Sequence, residues 1–564
     1  MRAVVIIIGF LSFFNLKAQM NLSWAKSIGS SGADEAQTIG SDLSGNVYVA
    51  GSFNGSVDFD PGSGIFLLTS AGATDGYVAK YDASGNFINA VSFTNNLECK
   101  VYSLAIDNLG NIIVTGSFTG SVDFEPGPGV TQLVAGGYYD IFLVKLTSSL
   151  GFVWAHRFGY AGGDDFGYSV ATDNSNNILV TGYFQGPNID FDPGGSTYYI
   201  SSQGLKDIFV LKLDATANFL WAFGLGSSGS FQDVGHVIKT DQSNNIILGG
   251  YFSSSVDFDP GSGLQTLTAG GNTDAFIAKY TPSGLYTWAK SFIGSGNELC
   301  YGLQTDLLGD IYCTGTFAGG TLCDFDPGPA SFMLQSNGID QDVFLTKLSS
   351  SGNFVWAKAL GGTLADFGRS VAVDMNKVYL SGYFNGVADL DPSAALNTFT
   401  SNGGLDFFIT TLDLSGNYIS AFAYGSVGND YCNSISCTAN GVLHAAGSYS
   451  STVDFDSGLS TYTLSAAGSN DAYFFKLQEN IVGIEENSIN NNVQIFPNPT
   501  LSEFNIVCQK PFDLEIYDAA GSLVYSQKNC EPLWKTKAVL KSNGVYYIKI
   551  IDNDNTYSTK IIKQ

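Results

Sequence analysis

One stretch limits what this chain can fold into: Gly51-Ser52-Phe53-Asn54-Gly55-Ser56-Val57-Asp58-Phe59-Asp60-Pro61-Gly62, which returns recognisably six more times. Its first aspartate falls at Asp58, Asp123, Asp190, Asp257, Asp324, Asp389 and Asp454, in steps of 65, 67, 67, 67, 65 and 65 residues. A fixed period of this kind marks an array of like units, each burying its apolar faces against its neighbours.

Each unit carries four strand signals, in the first copy Trp24–Ile28, Ala36–Asp42, Val47–Phe53 and Gly76–Tyr81. Asp42-Leu43-Ser44-Gly45-Asn46 is a short turn with glycine where positive φ is needed, so the strands on either side form a hairpin. Asp82-Ala83-Ser84-Gly85-Asn86 repeats that chemistry and leads into Phe87–Phe93. The link from Ile28 to Ala36 is longer and lacks a hairpin turn, so the chain crosses there to another sheet. A unit therefore reads Ala36–Asp42, Val47–Phe53, Gly76–Tyr81, Phe87–Phe93. Such units set around an axis make an all-β fold, a seven-bladed β-propeller. The seventh unit lacks its last strand after Tyr473–Leu477, and the unpaired Trp24 strand supplies it, closing the ring.

The first strand of each unit fits the crowded centre of such a ring. Ala36, Val101, Gly167, Gly235, Cys300, Gly368 and Cys432 are mostly small, and the residues three further on are all aliphatic, from Ile39 to Ile435. The outer strand keeps alanine in every copy (Ala25, Ala90, Ala155, Ala222, Ala289, Ala357, Ala421). The Asp-x-x-Gly-Asn-x-Tyr-Val-x-Gly-x-Phe core and the later strand with Asp274, Ala275, Phe276 and Lys279 resemble the bacterial SBBP β-propeller repeat family over roughly residues 24–477. The resemblance implies fold and extracellular context rather than an activity.

The ends of the chain speak to its destination. Residues 1–18 read as a secretory signal peptide, with Arg2, an apolar run from Ala3 to Phe14 and Ala18 before the expected cut. That run is too short to span a bilayer, and no later stretch suits a transmembrane helix. The propeller is expected over 19–477, a polar linker over 478–492 and a separate small β-sandwich over 493–564. The last region carries Pro497, Asn498, Pro499, Gly521, Gly544, Lys560 and Lys563 in an order that resembles the type IX secretion C-terminal sorting domain (type A). The resemblance implies the type IX machinery as a partner, and passage through the periplasm and outer membrane to a secreted or cell-surface location.

Net charge is −26, carried almost wholly by the repeats, which argues against nucleic acid because phosphate binding requires a basic surface. Export permits disulfides. Among eight cysteines only Cys508 and Cys530 are expected to pair; Cys432 and Cys437 sit on opposite faces of one strand.

Two sets of residues could carry chemistry. In the repeated motif Asp58 and Asp60 share one face of an extended segment, as do Asp190 with Asp192, Asp257 with Asp259, Asp324 with Asp326, Asp389 with Asp391 and Asp454 with Asp456, while Asp123 stands before Glu125. Paired carboxylates with turn carbonyls could hold Ca²⁺, helped by Asp34, Glu98, Asp165, Asp233, Glu298, Asp366 and Asp430 on the same rim. Turn capping is the simpler reading, since EF-hand ligand spacing is absent. No cofactor is required. The second set is the one inner-strand position where the repeats disagree: Gln37, Tyr102, Tyr168, His236, Tyr301, Arg369 and Asn433. Packing symmetry asks for uniformity, so variation here has two readings: side chains that only fill space between blades, or candidates for a ligand mouth that takes an extracellular glycan or protein. The three histidines (His156, His236, His444) occupy non-equivalent positions, and no hydrolase elbow, zinc-protease motif or P-loop is present. A monomeric binding or scaffold protein, an adhesin or glycan binder in role, is the expectation, with a polysaccharide-active propeller enzyme as the alternative; near-symmetry favours the former.

Overall fold

A computed structural model describes residues 20–479 except Thr321, Asn440 and Leu459, and, further on, residues 493–496, 504–508, 510–517, 523–535, 540, 544–551 and 556–563. The chain divides into two compact units, Met20–Gln478 and a second that holds Glu479–Gln564. Among the described residues no helix is long and apolar enough to cross a membrane.

In the first repeat the strands are β1 (Met20–Ile28), β2 (Glu35–Ser41), β3 (Val47–Phe53), β4 (Ser56–Asp58), β5 (Leu67–Thr69), β6 (Asp75–Tyr81) and β7 (Phe87–Asn95). Strands β2, β3, β6 and β7 pair antiparallel in that order. The same four-strand arrangement recurs in every repeat, and in the last one β1 pairs with Asp471–Glu479 to complete the sheet. The first strands lie side by side in repeat order, and Tyr431–Cys437 of the last lies beside β2. Serines stitch these neighbours: Ser103 Oγ accepts from the Val170 amide at 3.1 Å, and Ser434 Oγ accepts from the Ile39 amide at 3.3 Å.

The turns explain the recurring Asp-x-x-Gly-Asn. Asp42 Oδ1 accepts the amides of Ser44 and Asn46, each at 2.9 Å, and Gly45 takes φ +82°. The repeated lysine of the third strand ties such turns together. Lys212 Nζ lies 2.9 Å from Asp173 Oδ2 of its own unit's turn and donates to the Pro282 carbonyl of the next unit at 3.0 Å. Lys476 of the last unit reaches Ala83 of the first in the same way, at 3.3 Å.

Apolar cores lie between adjacent sheets. One gathers Ile39, Val49, Phe53 and Tyr77 with Ala446, Ala472 and Phe474 of the last repeat. The Asp-Phe-Asp-Pro-Gly segment, read from sequence as an extended segment with a capped turn, belongs to a short hairpin of β4 and β5. It drives Val57 and Phe59 into that core, where the Phe59 and Phe53 rings meet edge to face at 5.4 Å. Burying each such side chain contributes about 2–3 kcal/mol.

The C-terminal unit has a three-stranded and a four-stranded antiparallel sheet, with Ile506 of one and Leu514, Ile516 and Ile548 of the other in a single core. Gly544 opens the strand Gly544–Ile551 and faces Lys563 across the ladder, while Lys560 faces Tyr547. Pro497, Asn498, Pro499 and Gly521 lie outside the described residues, as do the expected signal peptide and most of the expected linker. Cys530 is a free thiol, so the expected bridge to Cys508 is corrected; Cys530 is buried and sits among apolar neighbours. Cys432 and Cys437 are also free. Cys300 and Cys313 approach to 2.7 Å between their sulfur atoms, on adjacent strands of the fifth repeat.

Candidate functional site

The variable position of the inner strand has a structural cause. In all seven first strands the register slips around it, between Ala36 and Thr38, Val101 and Ser103, Gly167 and Ser169, Gly235 and Val237, Cys300 and Gly302, Gly368 and Ser370, and Cys432 and Ser434. Gln37, Tyr102, Tyr168, His236, Tyr301, Arg369 and Asn433 are therefore the extra residues of seven β-bulges. A bulge leaves its residue out of the ladder and re-aims the side chain. The glycine of the repeated Val-x-Gly-x-Phe lies opposite. A Cβ on Gly182 would stand 1.8 Å from the Phe166 carbonyl oxygen, and one on Gly382 would stand 1.8 Å from that of Phe367. The bulge thus requires glycine on the partner strand and frees its own residue from packing.

All seven bulge residues are half-buried and line one cavity of about 380 Å³. Five form a continuous arc. The Tyr102 and Tyr168 rings lie 5.5 Å apart, His236 stacks on Tyr168 at 4.9 Å, and Tyr301 meets His236 edge-on at 4.9 Å. The Arg369 guanidinium covers Tyr301 at 4.7 Å. Burial and the Arg369 charge push the His236 imidazole down to about 3, so it is neutral at physiological pH. The remaining two are held internally: Gln37 donates to Glu35 at 2.8 Å, and Asn433 donates to the Ala36 carbonyl at 3.0 Å.

A wider cleft of about 900 Å³ opens over Tyr168, His236, Tyr301 and Arg369. Phe231, 45% exposed, and Tyr251 also line it. Neither was singled out from sequence, because Phe231 belongs to a lead-in loop that differs between repeats, and Tyr251 gains its place only through strand pairing.

The aspartate pairs of the repeated motif are turn caps. Asp58 Oδ1 accepts the amides of Asp60 at 3.1 Å and Phe66 at 2.8 Å, bridging the hairpin, and Asp60 Oδ1 accepts that of Gly62 at 2.8 Å. Asp123, Asp190, Asp257, Asp324, Asp389 and Asp454 repeat the bridge, and Asp192, Asp259, Asp326, Asp391 and Asp456 repeat the cap. The lead-in acids expected on the same rim are instead buried, apart from Glu98. Asp165 binds the amides of Tyr160 at 2.9 Å and Gln185 at 2.8 Å, and Asp366 those of Gly362 and Asn385. Burial pushes Asp34 up to about 6, and Asp165, Glu298 and Asp366 up to about 7. Among the described residues no three His, Cys, Asp or Glu side chains are grouped to hold a metal ion.

Comparison with known proteins bears on both parts of the chain. Residues 494–564 match the secretion system C-terminal sorting domain, and residues 153–183 match the SBBP family, a beta-propeller repeat. The chain thus carries an SBBP beta-propeller repeat and a type IX secretion sorting domain. The sorting domain directs export by type IX secretion to the cell surface or the extracellular space. The chain is also similar to an uncharacterized WD repeat-containing protein, L264, of Acanthamoeba polyphaga mimivirus. The two are 25% identical over 485 residues, which cover 72% of this chain and 34% of that protein, so the chain spans about a third of its length. Two solved structures are also similar. Sqt1 from Chaetomium thermophilum is 9% identical, with a TM-score of 0.37, over 82% of this chain and 100% of that one. PorZ, a surface component of the type-IX secretion system of Porphyromonas gingivalis, is 11% identical, with a TM-score of 0.14, over 96% of this chain and 100% of that one.

Proposed function

We propose that the seven four-stranded units are the blades of one closed propeller, and that the exported propeller is a non-catalytic binding protein displayed on or released from the cell. Its ligand, a glycan or an extracellular protein, meets the arc from Tyr102 to Arg369. The observation that carries this reading is the bulge. It places one residue per blade where packing makes no demand, and five of those seven residues form a connected aromatic and cationic surface. Aromatic faces stack on sugar rings, and their polar edges hydrogen-bond them. A glycan array probed with the exported protein identifies binders, and Tyr102→Ala, Tyr168→Ala and Arg369→Ala combined should weaken the best of them at least tenfold, each lost contact being worth about 1 kcal/mol or more. Unchanged affinity in a folded triple variant moves the site elsewhere.

A further inference from the structure

The cavity inside the seven first strands has a charge pattern opposite to that of the protein. The chain carries a net charge of −26, yet among the described residues no carboxylate lines this cavity, and the two charged residues that do, Arg369 and Lys239, are both cations. Lys239 breaks a pattern of its own. The equivalent positions in the other repeats hold Gly40, Ala105, Ala171, Gln304, Ala372 and Ser436, all uncharged and mostly small. Among the described residues neither Lys239 nor Arg369 forms an ion pair, whereas the third-strand lysines Lys145, Lys212, Lys279 and Lys347 all do. Glu35 and Glu98, the acids whose charges reach Tyr102, are already engaged: Glu35 accepts from Gln37, and Glu98 pairs with Lys100 at 3.0 Å. An unpaired cation in a confined site destabilises the fold unless something else compensates it. Burial alone holds the Lys239 ammonium below its ordinary value, with no carboxylate to offset it.

We propose that the cavity takes the anionic group of an acidic saccharide, a carboxylate or a sulfate. Lys239 and Arg369 supply the charge, and the rings of Tyr102, Tyr168 and Tyr301 stack on the sugar that bears it. This rests on the binding-mouth reading above and narrows it to a ligand class. A saccharide fits better than a peptide because the walls offer flat aromatic faces and serine hydroxyls rather than an unpaired strand edge.

Calorimetric titration of the full exported chain with trigalacturonate, its neutral galactose counterpart, inorganic sulfate and a tripeptide with a free C-terminus tests the proposal. Trigalacturonate is expected to bind at least tenfold tighter than the neutral trisaccharide, and Lys239→Met or Arg369→Gln should each remove about tenfold, the scale of one charge-assisted hydrogen bond. Lys239→Met should leave the melting temperature unchanged or raise it, which a purely structural lysine would not do. Equal binding of acidic and neutral sugars, lost in the tyrosine variant, overturns the anion proposal and leaves the mouth reading standing. Sulfate or tripeptide bound through Lys239 without trigalacturonate overturns the saccharide assignment, and no binding by any probe overturns both.

Discussion

At the scale of single residues, the glycine opposite each bulge is the tightest constraint in the repeat. Gly182 has the Phe166 carbonyl oxygen 1.8 Å and the Phe209 ring 3.0 Å from where a Cβ would sit. Neither can withdraw, since the carbonyl is backbone and the ring is buried. Gly182→Ala should therefore cost about 1–3 kcal/mol, the range for overpacking a tight interior. Urea denaturation reads this directly, and a variant as stable as the parent contradicts the bulge account. Uniform glycine beside a variable neighbour was visible in the sequence. The bulge was not, because it is a relation between two strands and leaves no local composition signal.

At the scale of elements, the four-strand order was legible because the Asp-x-x-Gly-Asn turns fix which strands are consecutive. The β4–β5 hairpin was missed for the opposite reason: three-residue strands are too short to show alternation. The seven bulge residues were legible as a set, while the division between a half-buried aromatic arc and the internally bonded Gln37 and Asn433 depends on neighbours distant in sequence. The loops between units bring buried carboxylates together, one from each side of the junction. Burial, with the nearby Asp366 charge, pushes Asp342 up to about 8, and Asp366 itself is held at about 7. Burial likewise raises Asp207 and Asp274 to about 6 and Asp406 to about 7. Each group has a folded value above the ordinary 3.8. The folded state then binds protons more tightly than the unfolded one, so stability is fully present below about pH 4 and is lost as pH rises through 6 to 8. The depressed His236 and His444, at about 3 and 4, act oppositely between pH 4 and 6.5 but are fewer. The melting temperature should be higher at pH 5.5 than at pH 8, and Asp342→Asn should shrink the difference. A melting temperature that rises from pH 5.5 to pH 8 contradicts this.

At the scale of the whole molecule, the account rests on the two ends of the repeat array meeting. β1 completes the last sheet, the Tyr462 hydroxyl donates to the Ala25 carbonyl at 3.0 Å, and Trp24 packs edge-on against Phe474 at 5.7 Å. The need for that strand was legible from counting alone, because the last repeat runs out one strand short. Without β1 the strand Asp471–Glu479 would present an open edge, and the core shared by the first and last repeats would lose Trp24 and Ile28. Thermal denaturation of the chain with and without residues 19–30, both produced without the signal peptide, is the most direct measurement. The closed-ring account predicts a melting temperature lowered by about five degrees or more, since losing two large buried side chains alone removes about 5 kcal/mol; a truncated protein that melts with the full chain would contradict it.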